Sequence, residues 1–366
     1  MVAMHYVGLD VHAKRSSLCI LDSCGKTVKQ LEVKGNWPVL LERVAAEVPR
    51  PFAVCFEASC GYGYLHEKLS AMARAVSVAH PGQLRLIFKS KKKNDRVDAG
   101  KLAKILYLDT VPAVHVPSVD VRAWRGLIEC RRRLMDRRVA VKNQARALLR
   151  SLGIMALAAK TLWSKKGLAW LEAQTLSEAD SLRRDLLVQE LSELNQKIKR
   201  VEKELAQRAD THPGVTLLRT IPGVGIRTAE AFVAYVDNVQ RFSRNKKVAS
   251  YLGLVPCQDS SAGKDRLGHI TKDGPGTVRK MLCEAAWQGI RHSPSLKSFF
   301  DRVMGADPDR KKIALVATAR HLAIIMAAML RSGEVWREQT VVEEKIGKDG
   351  CADGDSASPL RKTPMP

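Results

Sequence analysis

Four acidic residues are the strongest candidates for chemistry in this sequence. Asp10 and Glu57 each end a short apolar run, and Asp95 and Asp98 are three residues apart, which places them on one face of a helix. Carboxylate oxygens are the ligands that Mg²⁺ prefers, and two such ions can stabilise the attacking and leaving oxygens of a phosphodiester. The set indicates a site for Mg²⁺, with Mn²⁺ as a substitute. Each acid alone could instead be a turn former or a helix cap.

The elements that must position these acids alternate between strands and helices over residues 5 to about 110. Three strands, a helix, a strand, a helix and a strand form an α/β order with a central mixed sheet, and Asp10 and Glu57 each end a core strand. The apolar periodicity predicts strands at 5–11, 17–21, 27–33, 52–56 and 75–79, and helices at 38–47, 64–74 and 94–108.

The charge balance predicts a polyanionic partner. The 366 residues include 61 Lys+Arg and 38 Asp+Glu, so the formal net charge is +23. Hydrophobic residues make up 45% and charged residues 27%, an ordinary globular balance that excludes a mostly disordered or collagen-like chain. A globular protein with this excess of positive charge is typically a partner of nucleic acid.

Two basic segments are candidates for contact with the nucleic-acid backbone. One is the lysine run just before Asp95, and the other is a long predicted helix at 119–152 with 10 Lys/Arg against 3 Asp/Glu. A solvated helix face is the alternative, but such faces usually mix both signs, so phosphate contact is the better interpretation. The candidate residues are Lys91, Lys92, Lys93, Arg131, Arg132 and Arg137.

An apolar repeat follows the basic helix. Its residues are spaced 4, 3, 4, 3 and 4 apart, which is the seam of a coiled coil. The spacing fits a helical hairpin packed within one chain and a dimerising coiled coil equally well. The repeat consists of Leu187, Leu191, Leu194, Ile198, Val201 and Leu205.

The C-terminal region, from 215 to about 338, contains two motifs that could approach a phosphate. The turn at 222–225, with Gly223 and Gly225, precedes an apolar helix predicted at 229–235. Backbone N–H groups at such a helix start can face a phosphate, as in a helix-hairpin-helix. The second motif is a Gly-, Ser- and Lys-rich segment at 251–274, which we expect to be a loop between helices.

The three acidic segments resemble a known family. The segments 8–11 (Gly-Leu-Asp-Val), 57–61 (Glu-Ala-Ser-Cys-Gly) and 94–99 (Asn-Asp-Arg-Val-Asp-Ala) are similar to the acidic motifs of the DEDD insertion-sequence transposases, the insertion-sequence one-ten family. The family usually has Glu-Ala-Thr-Gly at the second motif, so this chain adds a residue there and replaces the threonine. Glu57 itself is retained.

The resemblance also changes the interpretation of two serines. Composition alone favours plain turn chemistry for Ser260 and Ser261. The segment 251–274 is similar to the family's C-terminal transposase motif, whose serine is a catalytic nucleophile. Spacing from Pro256 matches that serine to Ser261, and Ser260 remains a second choice because Ala262 stands where the family has glycine.

The resemblance, over about residues 5 to 335, implies an α/β plus α protein. It implies that Lys264, Arg266 and Lys272 hold phosphates and that the first domain is RNase H-like, similar to the RuvC resolvase. The implied divisions are a nuclease domain at 1–115, a basic helix and coiled coil at 116–212, a mainly α-helical transposase domain with a helix-hairpin-helix at 213–340, and a disordered tail at 341–366.

The activity that the resemblance implies is DNA transposition. One strand would be cut at each of two DNA sites, with a phosphoserine–DNA link at Ser261 and the four acids holding the metal. A noncoding RNA from the element would pair with donor and target DNA, and the protein would act as a dimer or a tetramer.

Two other classes of function would use the same residues differently. A Holliday-junction-type nuclease would use the four acids with water as nucleophile and would not depend on Ser261. A non-catalytic nucleic-acid-binding protein would use the charge of +23 and the hairpin motif, and none of the acids.

Cysteine usage and apolar segments predict a cytoplasmic protein, and the resemblance implies a nucleoid-associated protein of a prokaryotic cell. None of the eight cysteines makes a C-x-x-C pair, and the N-terminus lacks the apolar stretch of a signal peptide. The most apolar segment, 313–330, is interrupted by Arg320 and His321. We therefore expect a buried helix there and no membrane partner.

Overall fold

The described part of the chain comprises residues 3–59, 61–87, 95–261 and 264–338 of a computed structural model. The predicted contacts at Lys91, Lys92 and Lys93, and the predicted disordered tail, lie outside these residues, as do the side chains of 95–96, 159–160 and 259–267. Contacts divide the chain into two units, Met1–Cys130 and Arg131–Pro366.

The first unit contains a five-stranded sheet and its helices. In chain order its elements are β1 (His5–Val11), β2 (Arg15–Leu21), β3 (Thr27–Lys34), α1 (Trp37–Glu47), β4 (Phe52–Glu57), α2 (Tyr62–Ser70), β5 (Ala75–Ala79), α3 (Pro81–Ile87), α4 (Asp95–Tyr107) and the start of α5 (Val119–Ser151).

The second unit is mainly helical. After α5 its elements are α6 (Ala159–Leu162), α7 (Lys165–Glu172), α8 (Glu178–Thr211), α9 (Pro213–Leu218), α10 (Ile226–Val236), α11 (Asn245–Tyr251), β6 (Pro256–Ser261), β7 (Lys264–Ile270), α12 (Gly276–His292), α13 (Pro294–Met304) and α14 (Lys311–Ser332), with short 3₁₀ turns at Val239–Arg241 and Pro308–Arg310.

The sheet is mixed, as the order of elements predicted. Its strand order is β3-β2-β1-β4-β5. β1 pairs antiparallel with β2 and parallel with β4, and β4 pairs parallel with β5. The parallel pairing puts the C-terminal ends of β1 and β4 at the same edge of the sheet.

Alternation along the central strands separates the two faces of the sheet. Val7 and Leu9 of β1 and Phe56 of β4 pack with Leu40 of α1 and Leu65 of α2, and all five are 0% or 1% exposed. Each such burial contributes about 1.5–3 kcal/mol, so this face holds the largest share of the unit's apolar stabilisation. The residues between them point to the opposite face.

The opposite face is covered by α4, and Gly8 is the reason that the helix can lie so close. A Cβ at Gly8 would stand 2.0 Å from the Ala99 carbonyl oxygen and 2.4 Å from the Ala103 nitrogen. Ala99 and Ala103 are both fully buried. Three small residues therefore let the backbone of α4 rest directly on β1.

In the second unit the apolar repeat packs within the chain. Leu191 and Leu194 of α8 are buried against Val141 of α5, with Leu134 and Leu168 packed beside them. Of the two interpretations of the repeat, the structure shows the intrachain one for these residues.

An ion-pair cluster joins three helices of this unit. Arg131 of α5 contacts Glu202 of α8 at 2.6 Å, and Arg227 of α10 contacts Glu230 at 2.6 Å and the Glu202 carbonyl oxygen at 3.0 Å. The Glu230 side chain is only 2% exposed. Its burial raises the pKa of Glu230 to about 7, even though Arg227 and Arg131 act to lower it.

The apolar segment near the C-terminus is the buried helix that the sequence predicted. In the part of the chain that the structure describes, the stretch Pro308–Ser332 has the length and hydropathy of a membrane span. Within it, Ala319, Leu322 and Met326 are fully buried, and α14 packs against α12 and α13. The six cysteines in the described residues are free thiols.

Two local predictions were wrong. The helix expected at 64–74 ends at Ser70, because the Arg74 N–H donates to the Phe52 carbonyl and begins the pairing of β5. The expected loop at 251–274 contains the hairpin β6–β7, in which Ser260 lies opposite Asp265 and Ser261 opposite Lys264.

Replacing Gly8 with alanine is expected to lower the free energy of unfolding by about 1–3 kcal/mol, because the added methyl meets helix backbone that cannot rotate away. Gly100→Ala, on the helix that Gly8 contacts, is the matched control, since its Cβ would meet only side-chain atoms, the nearest being Gln30 Nε2 at 3.5 Å. Urea unfolding of both variants gives the comparison. Equal midpoints for the two would contradict the packing argument.

Glu230 is expected to make stability depend on pH. The folded state holds its proton more tightly than the unfolded chain, so the free energy of unfolding should fall as pH rises from about 4.5 to about 7, by at most about 3 kcal/mol. Urea unfolding between pH 5 and 8 should show this slope in the native protein and not in Glu230→Gln. Glu193→Gln, at an exposed acid, is the control and should keep the slope. If the free energy of unfolding changed with pH in the same way in all three proteins, the role of Glu230 would be refuted.

Candidate active site and nucleic-acid interface

Asp10 and Glu57 lie at one edge of the first unit's sheet. Leu9 is opposite Phe56 in the parallel pair, so Asp10 and Glu57 follow as the next residues of neighbouring strands. Both alternate away from the buried Leu9 and Phe56 and therefore share the face that α4 covers. Asp10 has 18% of its side chain exposed, and Glu57 is exposed.

The direction of α4 brings its first turn toward Asp10. The ring of Tyr107, at the end of α4, meets the ring of Tyr6 edge-on with centroids 5.3 Å apart, while Ala99 and Ala103 lie over Gly8. α4 therefore runs antiparallel to β1, and its N-terminal end lies at the same edge as Asp10. One helical turn and two strand residues both advance by about 6 Å, so the turn from Asp95 to Asp98 lies beside Asp10.

Two basic groups accompany these acids. Lys101 Nζ lies 2.9 Å from Asp98 Oδ1, and His12 Nε2 lies 3.4 Å from Asp10 Oδ2. The first contact places a positive charge beside Asp98, and the second places an imidazole nitrogen beside Asp10. A divalent cation would compete with Lys101 for Asp98.

The donor set fits a hard divalent cation in its chemistry, since it offers carboxylate oxygens from three elements at one edge. Among the side chains that the structure describes, which leave out Asp95, no three His, Cys, Asp or Glu come together closely enough to hold an ion. The structure thus brings Asp10, Glu57 and Asp98 to one edge without closing them around a centre.

The two candidate serines lie at the end of β6. Ser261 is its last residue, and Ser260 precedes it. Lys264 and Arg266 lie on β7, opposite Ser261 and Asp259. The backbones of these two serines, Lys264 and Arg266 therefore lie in one antiparallel ladder.

The loop after this hairpin is held by an arginine. Arg279 Nη1 donates to the carbonyls of Leu252 (3.1 Å), Gly274 (3.3 Å) and Asp273. Lys272, in the same loop, is exposed and has a positive φ of 58°. Arg279 therefore positions the loop, and Lys272 is the cation that the loop presents to solvent.

The two glycines of the helix-start motif have different surroundings. Gly223 has a φ of 86° and lies against α12, where a Cβ would stand 2.4 Å from the Gly289 nitrogen. Gly225 precedes α10, has open space around its Cα and provides no side-chain cap. Gly223 permits close packing, and Gly225 leaves the helix start accessible to an anion.

The three arginines that the sequence nominated on α5 are all in ion pairs. Arg131 pairs with Glu202, Arg132 with Asp136 at 2.7 Å, and Arg137 with Glu190 at 2.7 Å. Carboxylates thus already neutralise much of their charge. Arginine runs in the sequence show where charge is concentrated and not which cations are paired.

A second set of cations on α5 was missed in the sequence. Arg138, Lys142 and Arg146 are spaced four apart and have no carboxylate partner within the described chain; we call them the α5 stripe. Lys142 and Arg146 lie 5.2 and 5.5 Å from the ring of Trp163. Burial, with Arg138 and Arg146 adding to it, lowers the pKa of Lys142. The spacing of four residues was the available signal.

Comparison with known families identifies both units. Residues 7–154 match a family model for DEDD transposases of the IS110 type, and residues 215–301 match the family described as "Transposase IS116/IS110/IS902 family". The first match contains all four candidate acids, and the second contains both serines.

Individual relatives are similar over most of their length. The chain is 29% identical over 336 residues to the transposase for insertion sequence element IS1111A of Coxiella burnetii, covering 90% of this chain and 91% of the relative. It is 26% identical over 243 residues to the transposase for insertion sequence element IS1328 of Yersinia enterocolitica, covering 64% and 70%. The mixed α/β sheet is consistent with the RNase H-like domain of a DEDD enzyme.

Proposed function

The chain belongs to the IS110 family of DEDD transposases, enzymes that cut and rejoin DNA, and we propose that Ser261 is its nucleophile. The observation that most supports a nuclease-type centre is the contact of Gly8 with α4, which sets Asp98 beside the strand ends that carry Asp10 and Glu57. Both family matches and the order of the two units agree with this assignment.

The proposed chemistry is a transesterification. The Ser261 hydroxyl loses its proton, its oxygen forms an ester bond to phosphorus, and one bridging P–O bond breaks to leave a free hydroxyl on the cut strand. Attack by a hydroxyl of the other DNA restores a phosphodiester and frees the serine. The number of phosphate ester bonds is the same before and after, so no ATP is needed.

The family implies a divalent metal, and we propose that it is Mg²⁺, with Mn²⁺ as a substitute. Asp10, Glu57, Asp95 and Asp98 would hold it, and it would supply charge stabilisation at the phosphate oxygens. The carboxylates orient and hold the ion, and Lys101 keeps Asp98 in place when no ion is present, through the contact at 2.9 Å.

Backbone contacts to DNA are assigned to the second unit. The α5 stripe and Lys272 present cations without a carboxylate partner among the described residues, and the start of α10 beyond Gly225 presents free N–H groups in a helix-hairpin-helix. Lys264 and Arg266 flank the serines on β7 and would bind the scissile phosphate's neighbours. Such contacts position DNA without reading its sequence.

Site choice is assigned to an element-encoded guide RNA that pairs with donor and target DNA. Among the described residues no His/Cys cluster forms a metal-binding finger that could read bases in its place. The protein would act in the cytoplasm of a prokaryotic cell as a homo-oligomer, a dimer or a tetramer, because two DNA sites must be cut together.

A covalent-adduct assay tests the nucleophile. Incubation with Mg²⁺, the element RNA and end-labelled donor and target DNA should yield a protein–DNA adduct that survives denaturing electrophoresis. Ser261→Ala should abolish the adduct, and Ser260→Ala should keep it. Asp10→Ala should lower cleavage about a hundredfold or more without loss of DNA binding, whereas Glu42→Ala, at an exposed acid of α1, should be normal.

Other outcomes of that assay return the protein to the alternative classes. Cleaved DNA without an adduct, unchanged in Ser261→Ala, would indicate a resolvase-like nuclease that uses water. Binding without cleavage in any condition, unchanged by Asp10→Ala, would indicate a non-catalytic binding protein.

The α5 stripe predicts a difference in salt dependence between two double variants of equal charge. Lys142→Ala/Arg146→Ala should reduce the slope of log affinity against log salt for duplex DNA by about 2, because each lost phosphate contact contributes about 0.9. Arg132→Ala/Arg137→Ala, at ion-paired arginines, should change it little. Fluorescence anisotropy over a salt series gives both slopes, and equal reductions would show that only net charge matters.

A further inference from the structure

A cavity of about 480 Å³ in the second unit has no part in the chemistry described so far. It lies among α13, α14 and the segment 333–338. Three rings line it, those of Phe299, His321 and Trp336. Two guanidinium groups, those of Arg302 and Arg337, lie at the same cavity. Its volume is in the range of pockets that enclose a small ligand.

The rings form an ordered surface. Phe299 and His321 stack with centroids 4.3 Å apart and an interplanar angle of 6°. Arg302 lies over the Phe299 ring at 5.3 Å. Burial, aided by Arg302, lowers the pKa of His321, so its ring is a neutral aromatic surface at neutral pH.

Trp336 is held in place from two sides. Its backbone N–H donates to Thr220 Oγ1 at 3.0 Å, and its indole N–H donates to Glu338 at 3.2 Å. Glu338 in turn accepts hydrogen bonds from the Ser293 hydroxyl (2.9 Å) and the Ser295 N–H (2.8 Å). These hydrogen bonds hold the segment 333–338 at the cavity, and they fix the position of the Trp336 indole before any ligand binds.

Two arginines and one glutamate, Glu334, line the cavity. Neither Arg302 nor Arg337 has a carboxylate partner among the residues described. Ser298 and Ser332 hydroxyls and the Glu334 carboxylate also line the space and can accept or donate hydrogen bonds. Aromatic faces, unpaired guanidiniums and a few polar groups together match a nucleotide, which has a flat base, polar edges and a phosphate.

We propose that this cavity binds one unpaired nucleotide of single-stranded DNA, with the base among Trp336 and His321 and its phosphate at Arg302 and Arg337. The assignment rests on the proposed function only in taking DNA as the polymer. Cutting and exchanging strands requires that bases leave the duplex, and a base that leaves its stack is stabilised by an aromatic surface. The cavity supplies such a surface outside the acidic edge.

Binding of an oligonucleotide containing 2-aminopurine tests this assignment. The full chain is used in EDTA, where no cleavage occurs, so failure of the Ser261 mechanism would not affect the result. Stacking in the cavity should quench the fluorescence. Arg302→Ala/Arg337→Ala should weaken single-strand binding about tenfold more than the control Arg310→Ala/Lys312→Ala, which removes the same charge outside the cavity.

A ring exchange separates stacking from folding. Trp336→Ala should abolish the quenching and weaken single-strand binding at least about fivefold, and Trp336→Phe should restore most of both. Duplex binding should be equal in all these variants. The assignment to single-stranded DNA would be overturned by any of three results. These are an equal loss of single-strand affinity in Arg310→Ala/Lys312→Ala, no recovery in Trp336→Phe, and stronger quenching with RNA of the same sequence.

Discussion

The close approach of α4 to β1 is the constraint on which the first unit depends. Gly8 has no side chain, and Ala99 and Ala103 have the smallest ones, so a helix backbone lies directly on a strand. A larger residue at any of these positions would lift the helix by the thickness of a side chain. The acids of α4 would then leave the strand ends that carry Asp10 and Glu57. The small residues that allow this packing are therefore also required for the proposed arrangement of the acids.

The cations of the second unit fall into two groups: those in ion pairs with carboxylates and those without such a partner among the described residues. An ion-pair cluster holds α5, α8 and α10 together; it consists of Arg131, Arg227, Glu202 and Glu230. The burial of the Glu230 carboxylate opposes the stability that these contacts provide. Among the described residues the α5 stripe has no carboxylate partners, and burial, with the charges of Arg138 and Arg146, lowers the pKa of Lys142. Mutually repelling cations that are packed against Trp163 are stabilised by an external anion.

The proposed contacts of the second unit have different physical origins. The start of α10 offers backbone N–H groups, the β6–β7 hairpin offers two serines in a fixed ladder, and the cavity at Trp336 offers rings and guanidiniums. In the proposed function the first would bind a phosphate through its N–H dipoles, the second would act on a phosphate, and the third would hold a base.

The sequence by itself determined the elements and the chemistry of the acids. The apolar runs of β1 and β4, each followed by an acid, and the Asp-x-x-Asp spacing of α4 are local, so they can be read from the chain. The partners of individual cations were decided by the tertiary structure, because glutamates of α8 come near Arg131 and Arg137. Lys142 and Arg146 meet the ring of Trp163 instead. The hairpin at Ser261, the role of Gly8 and the cavity at Trp336 were decided there too. Gly8 meets Ala99, and Trp336 meets Thr220, so these two features join residues that are distant in sequence and follow from packing, which local patterns do not encode. The hairpin is local, but its Gly-, Ser- and Lys-rich sequence is typical of a loop.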